Sequence, residues 1–227
     1  LGTLANEAAE KGWSVRILSG DRDLFQLVDD ERDIAVLYMG GGPYAKSGNP
    51  KLINEEGVKE KLGVSPDKVI DLKALTGDSS DNIPGVKGVG PKTAINLLRE
   101  NNDLDGVYKS LQDLEKEGEK AKRGAIKGAV RLKLKADKDN AYLSRKLAEI
   151  LIKIPLNTQI NHNLEGINES KFYENLEKLE LHSLLRQVPT FKALFSKEGL
   201  SKQDNNASLI EKKIINNKPE NSELNTR

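Results

Sequence analysis

The sequence predicts an α/β fold at its N-terminal side followed by a mostly helical region, and three observations predict it. Residues 2–11 carry a helical apolar pattern that stops at Gly12, and WSVRIL at 13–18 then reads as a strand running into SGDRD and a second helical run, Leu24 to Val28. Ile34 to Met39 repeats the strand signal. Beyond a Pro/Gly-punctuated stretch, Asn82 to Gly90, the apolar spacing stays helical to about Val188.

Each element has a local reason. Leu1, Leu4, Ala5 and Ala8 mark one helical face; the chain opens on Leu1 with that pattern under way and reads as cut from something larger. Gly40 to Pro50 is a loop by its glycines and prolines. Asn54 caps a helix to about Leu62, and Ser65-Pro66-Asp67 starts the next, with a cap, a proline and an acid in the first turn. That helix carries Val69, Ile70, Leu72 and Leu75 to Asp78. A further helix opens at Pro91 and ends near Asn101-Asn102. Asp103–Leu114, Glu119–Lys135 and Asp137–Ile152 are the next candidates, then an extended Leu156–Leu164 and helices within Phe172–Val188. From about Ser196 the Asn/Lys/Glu/Ser composition predicts a disordered linker.

Composition narrows the function. The 36 basic and 35 acidic residues nearly cancel to +1, so a nucleic-acid surface requires local segregation of charge. Aromatic residues are 4%, too few for recognition dominated by base stacking. The absence of cysteine excludes disulfides and thiolate metal sites, and the two histidines lack partners at ligand spacing, which argues against zinc. No run approaches membrane-spanning length and no secretory signal is visible.

The chemistry centres on two acidic pairs and a glycine hairpin. Asp21 and Asp23 lie just past a strand end, where residues two apart in extended chain face one point. Asp78 and Asp81 immediately precede NIPGVKGVGPKTA. Two close aspartate pairs suit magnesium, and two ions about 3.5–4 Å apart stabilise attacking and leaving oxygens of a phosphodiester. The competing reading is that such pairs sit by chance on solvated turns. Gly85, Lys87, Gly88, Val89, Gly90, Lys92 and Thr93 resemble a helix–hairpin–helix: Gly88 and Gly90 permit the turn, Val86 and Val89 plug it into the core, and N–H groups from Gly88 to Thr93 face a phosphate. The competing reading is an ordinary glycine loop before a helix. The basic run Lys120–Lys135 either extends this grip or is a solvated helix face, and Arg22 either steadies the carboxylates or points to solvent.

SGDRDLFQL together with LTGDSSDNIPGVKGVGPKTA closely resembles the 5′-nuclease family, in its branch of 5′–3′ exonuclease domains of bacterial DNA polymerase I, from Leu1 to about Phe195. The resemblance implies the C-terminal part of a PIN-like α/β nuclease core (residues 1–72), a helix–hairpin–helix DNA-binding region (73–155), closing helices (156–195) and a linker (196–227). It implies Asp21, Asp23, Asp78 and Asp81 as ligands of magnesium or manganese, potassium at the hairpin, and hydrolysis of phosphodiesters at 5′ ends and 5′ flaps of duplex DNA in primer removal and repair. A monomer in the bacterial cytoplasm, near the nucleoid and ahead of a polymerase domain, follows. Family members carry a longer N-terminal portion with further acidic ligands, so the expectation is a fragment with little or no nuclease activity by itself. The alternatives are a non-catalytic hairpin module that grips the duplex backbone, or a structural linker domain.

Overall fold

The computed structural model describes residues 1–40, 50–118, 124–157 and 168–190. The chain divides into two compact units, residues 1–160 and 161–227.

The first unit opens with α1 (Gly2–Glu10), β1 (Val15–Ser19), a 3-10 turn (Asp23–Leu27), β2 (Ile34–Tyr38), β3 (Lys51–Ile53) and α2 (Glu55–Leu62). A 3-10 turn at Pro66–Lys68 leads into α3 (Val69–Thr76), followed by α4 (Pro91–Asn101), α5 (Leu104–Glu117), α6 (Gly128–Ala136) and α7 (Lys138–Ala148). The sheet runs β1-β2-β3, with β1 and β2 parallel (Val15 opposite Ile34) and β2 and β3 antiparallel (Val36 opposite Ile53). A helix-rich α/β fold is therefore present, as the sequence predicts.

Several boundaries shift for physical reasons. The first strand begins at Val15 rather than Trp13, and Leu24–Val28 is not an α-helix but part of the 3-10 turn from Asp23. β3 was not foreseen, because three residues with Ile53 alone fully buried carry no alternation to read. The helix expected from Glu119 starts at Gly128: Gly124 has φ +51° and Lys127 is extended, so the intervening chain turns. Residues 119–123 lie outside the described residues, as do most of the expected 156–164 strand and the whole linker; 151–157 form no regular element.

Asn54 caps α2 as expected, its Oδ1 accepting the Gly57 N–H at 3.0 Å, and Asp103 caps α5 by accepting from Gly106 at 2.7 Å. One core joins the layers: Phe25, Val36 and Ile53 from the sheet side meet Leu75, Leu97, Leu104, Leu114, Ile126 and Leu134 from the helices. α3 lies at its centre, packing against α4, α5, α7 and the Asp23–Leu27 turn. Its C-terminal end leads directly into Asp78 and Asp81.

In the second unit, α8 (Glu169–Lys178) and α9 (His182–Leu185) form a small helical pair. Asn168 caps α8 through Lys171 N–H, and Leu176 and Val188 are buried.

Candidate metal and nucleic-acid site

The loop after β1 sets Asp23. Asp21 is exposed, and its Oδ1 accepts the backbone N–H of Asp23 at 2.9 Å, closing a local turn. The 3-10 turn then begins, and Gln26 Nε2 donates to Asp23 O and to Ala148 O, both at 3.0 Å, while Gln26 Oε1 accepts from Ile150 N–H at 2.9 Å. The segment bearing Asp23 is thus pinned to the end of α7.

The end of α3 sets the other acids. Asp78 and Ile83 exchange two backbone hydrogen bonds, 2.9 and 2.8 Å, which closes the SSDN turn that carries Asp81. Asn82 takes φ +59° there, a conformation asparagine tolerates. Carboxylate oxygens of Asp23, Asp78 and Asp81 all lie within 4.8 Å of one another. Three of the four predicted aspartates therefore converge. Asp21 stands outside the group, because its oxygen is turned onto backbone; the two-apart argument failed where extended chain gave way to a turn.

Lys73, which sequence reading missed, lies between these acids. Its Nζ pairs with Asp23 and donates to Asp78 Oδ2 at 2.9 Å, and its side chain is 13% exposed. The signal was available: Lys73 is five residues before Asp78, in the last turn of a helix whose other face is apolar. Burial pushes the Asp23 carboxyl above its ordinary pKa and outweighs the pull of Lys73. Hydrogen bonds from the Ser80 hydroxyl and then from Lys73 hold Asp78 down at about 2. Burial opposes the charge on Lys73, but its bonds to Asp23 and Asp78 prevail and raise its pKa. Arg22 joins none of this; its Nε donates to the Tyr38 hydroxyl at 3.1 Å.

The hairpin is fused to the acidic end of α3. Gly85 has φ +61°, and a Cβ there would lie 2.1 Å from Gly77 N, so the two backbones touch. Val86 and Val89 are buried, as expected of the plug. Gly88 takes φ +76°, but Gly90 does not need its freedom: φ −94°, ψ 173° is ordinary extended chain with open space at the Cβ position. The expected row of outward N–H groups also narrows. Gly85 N–H donates to Ser144 Oγ, Lys87 N–H to Asp137 Oδ2 and Val89 N–H to Val86 O. Among the described residues, the N–H groups of Gly88, Gly90, Lys92 and Thr93 donate to nothing, and Pro91 opens α4 without a side-chain cap. Gly88, Gly90 and Lys92 are exposed. Among the hairpin carbonyls, those of Val86, Gly88 and Gly90 accept hydrogen bonds, Gly88 from Lys133 Nζ.

The arrangement is a hard-oxygen cluster next to an uncapped helix start, the combination that holds a divalent cation and an anion side by side.

The chain is 41% identical over 197 residues to a DNA polymerase I of Synechocystis sp., 86% of this chain and 19% of that protein. It is 35% identical over 189 residues to DNA polymerase I of Bacillus subtilis, 83% of this chain and 20% of that protein. The chain spans about a fifth of the length of these relatives. Among solved structures, the bacteriophage T5 5′-exonuclease with divalent zinc ions bound superposes with a TM-score of 0.50 at 20% identity, over 65% of this chain and 48% of that one. The bacteriophage T5 flap endonuclease, described as a complex with DNA and metal ions, gives 0.50 at 19% identity over 65% of this chain and 47% of that one. Residues 64–171 match the family model described as 5′-3′ exonuclease, C-terminal SAM fold. The resemblance read from SGDRDLFQL and the glycine hairpin is thereby borne out, with residues 64–171 similar to the 5′-3′ exonuclease C-terminal family.

Proposed function

We propose that this chain is part of a metal-dependent 5′ nuclease acting on duplex DNA at a 5′ end or 5′ flap. One observation carries the reading: Asp23, Asp78 and Asp81 meet within 4.8 Å beside a turn whose Gly88 and Gly90 N–H groups are unengaged. Three carboxylates suit magnesium or manganese, which take oxygen ligands and keep several waters. When bound, such an ion polarises a phosphoryl oxygen and activates water.

The chain's own residues do the positioning. Asp23, Asp78 and Asp81 hold the cation's charge, with Asp21 shaping the turn that presents Asp23. The N–H groups of Gly88, Gly90, Lys92 and Thr93, the Lys92 ammonium and the positive end of α4 grip a phosphate without reading sequence. The β-bridge between Asp78 and Ile83 fixes the distance between grip and acids. By the same reading the chain works beside a polymerase portion, as the names of its relatives suggest.

Calorimetric titration with magnesium and a salt series of duplex binding test this. Magnesium binding that Asp78→Ala abolishes, together with duplex affinity that falls steeply with salt, is the expected pair. Duplex binding without any magnesium affinity would make the chain a non-catalytic hairpin module. Neither binding event would refute the reading altogether.

A further inference from the structure

One corner of the fold reaches back to the hairpin from far along the chain. Lys133 on α6 donates from Nζ to Gly88 O at 2.8 Å. Asp137, which joins α6 to α7, accepts the Lys87 N–H through Oδ2 at 2.9 Å. Ser144 on α7, fully buried, accepts the Gly85 N–H through Oγ at 2.8 Å. The hairpin does little for itself: within Gly85–Gly90 its one internal backbone bond runs from Val89 N–H to Val86 O.

Asp137 is the informative member. It occupies the N-terminal boundary of α7, where an aspartate ordinarily accepts N–H groups of its own first turn. It makes no such bond. One oxygen accepts from Asn140 Nδ2 at 2.9 Å and the other is turned onto Lys87 N–H, 50 residues away. The Lys87 N–H belongs to the peptide before Lys87, and the Gly88 carbonyl to the peptide after Gly88. Fixing both planes leaves one peptide between them, and its N–H is that of Gly88, unengaged and exposed.

We propose that Asp137, aided by Lys133, is a positioning residue for the phosphate grip: it orients the Gly88 N–H outward without touching DNA. This rests on the hairpin reading given above. The sign of the effect identifies the role. An acid beside a phosphate site repels it, so removal of charge alone strengthens binding; loss of positioning weakens it.

The test is fluorescence anisotropy of the full chain with a plain DNA duplex, paired with amide hydrogen exchange at Lys87 and Gly88. Asp137→Ala is expected to bind roughly tenfold more weakly, with an unchanged salt slope because no phosphate contact is removed. Asp137→Asn keeps an acceptor oxygen and is expected to restore affinity to within about twofold of the natural chain. Lys133→Met, which frees the Gly88 carbonyl, serves as the second variant should Asp137→Ala fold poorly, and weaker duplex binding is expected. Equal or tighter binding by Asp137→Ala, or equal weakening by Asp137→Ala and Asp137→Asn, overturns the proposal. Absence of duplex binding by the natural chain overturns the hairpin reading instead; unchanged exchange of Lys87 N–H in Asp137→Ala then overturns the positioning role independently.

Discussion

Gly85 and Gly90 lie in the same hairpin under different constraints. At Gly85 a methyl group would meet Gly77 backbone atoms at 2.1 and 2.6 Å, and φ is +61° besides. Gly85→Ala should therefore cost more than about 3 kcal/mol in urea unfolding, the range reached when backbone must move. Gly90→Ala meets open space in an extended conformation and should stay within about 0.5 kcal/mol. Lys73 offers a second contrast. Lys73→Met leaves Asp23 and Asp78 facing each other without their cation, and the pair is mostly buried, 22% and 24% exposed. A loss of about 1–2 kcal/mol without metal is expected, below the roughly 3–5 kcal/mol of a fully buried pair. Added magnesium should then raise the melting temperature of Lys73→Met more than that of the natural chain, since no ammonium competes for the carboxylates. A smaller rise in the variant would mean that Lys73 assists the cation.

Helix pairs carry the next level. α5 and α7 are joined where Asp105 accepts from Arg145 and from the Tyr142 hydroxyl, both at 2.8 Å, with the Tyr108 and Tyr142 rings 5.3 Å apart. Arg145 and then Tyr142 hold the Asp105 carboxyl below its ordinary pKa, and Asp105 in turn helps burial push Tyr142 up to about 12. A lowered carboxylate pKa stabilises the fold above the unfolded value of 3.8 and loses that contribution as pH falls through the folded value. Stability measured from pH 5 to pH 2 should therefore fall less steeply in Asp105→Asn than in the natural chain; identical slopes would remove this joint from the account. Elements of this kind were legible where the chain caps itself. Asn54 and Asp103 announced α2 and α5, and Pro91 announced α4. β3 and the late start of α6 were not legible, because one depends on pairing with a distant strand and the other on backbone turns at Gly124 and Lys127. The acids of the site were readable from spacing and Lys73 from its place one turn before Asp78, whereas Ser144 and Asp137 act across the fold and leave no local pattern.

Across the whole first unit, the acidic cluster and the hairpin share the C-terminal end of α3 as a common support, so a cation at the acids should be felt at the hairpin. Magnesium is expected to raise duplex affinity in the natural chain and to leave Asp78→Ala unaffected, a difference that anisotropy titrations would read directly. The Gln26 clasp carries a different consequence. Its amide ties residues separated by 122 and 124 positions, so the earliest acid of the cluster is seated by the last helix of the unit. Closing so long a loop comes late in folding, because its entropy must be met before the distant contacts reward it. A ribosome making this chain thus completes the cluster only after α7 has emerged, and shorter nascent chains carry Asp23 without its setting.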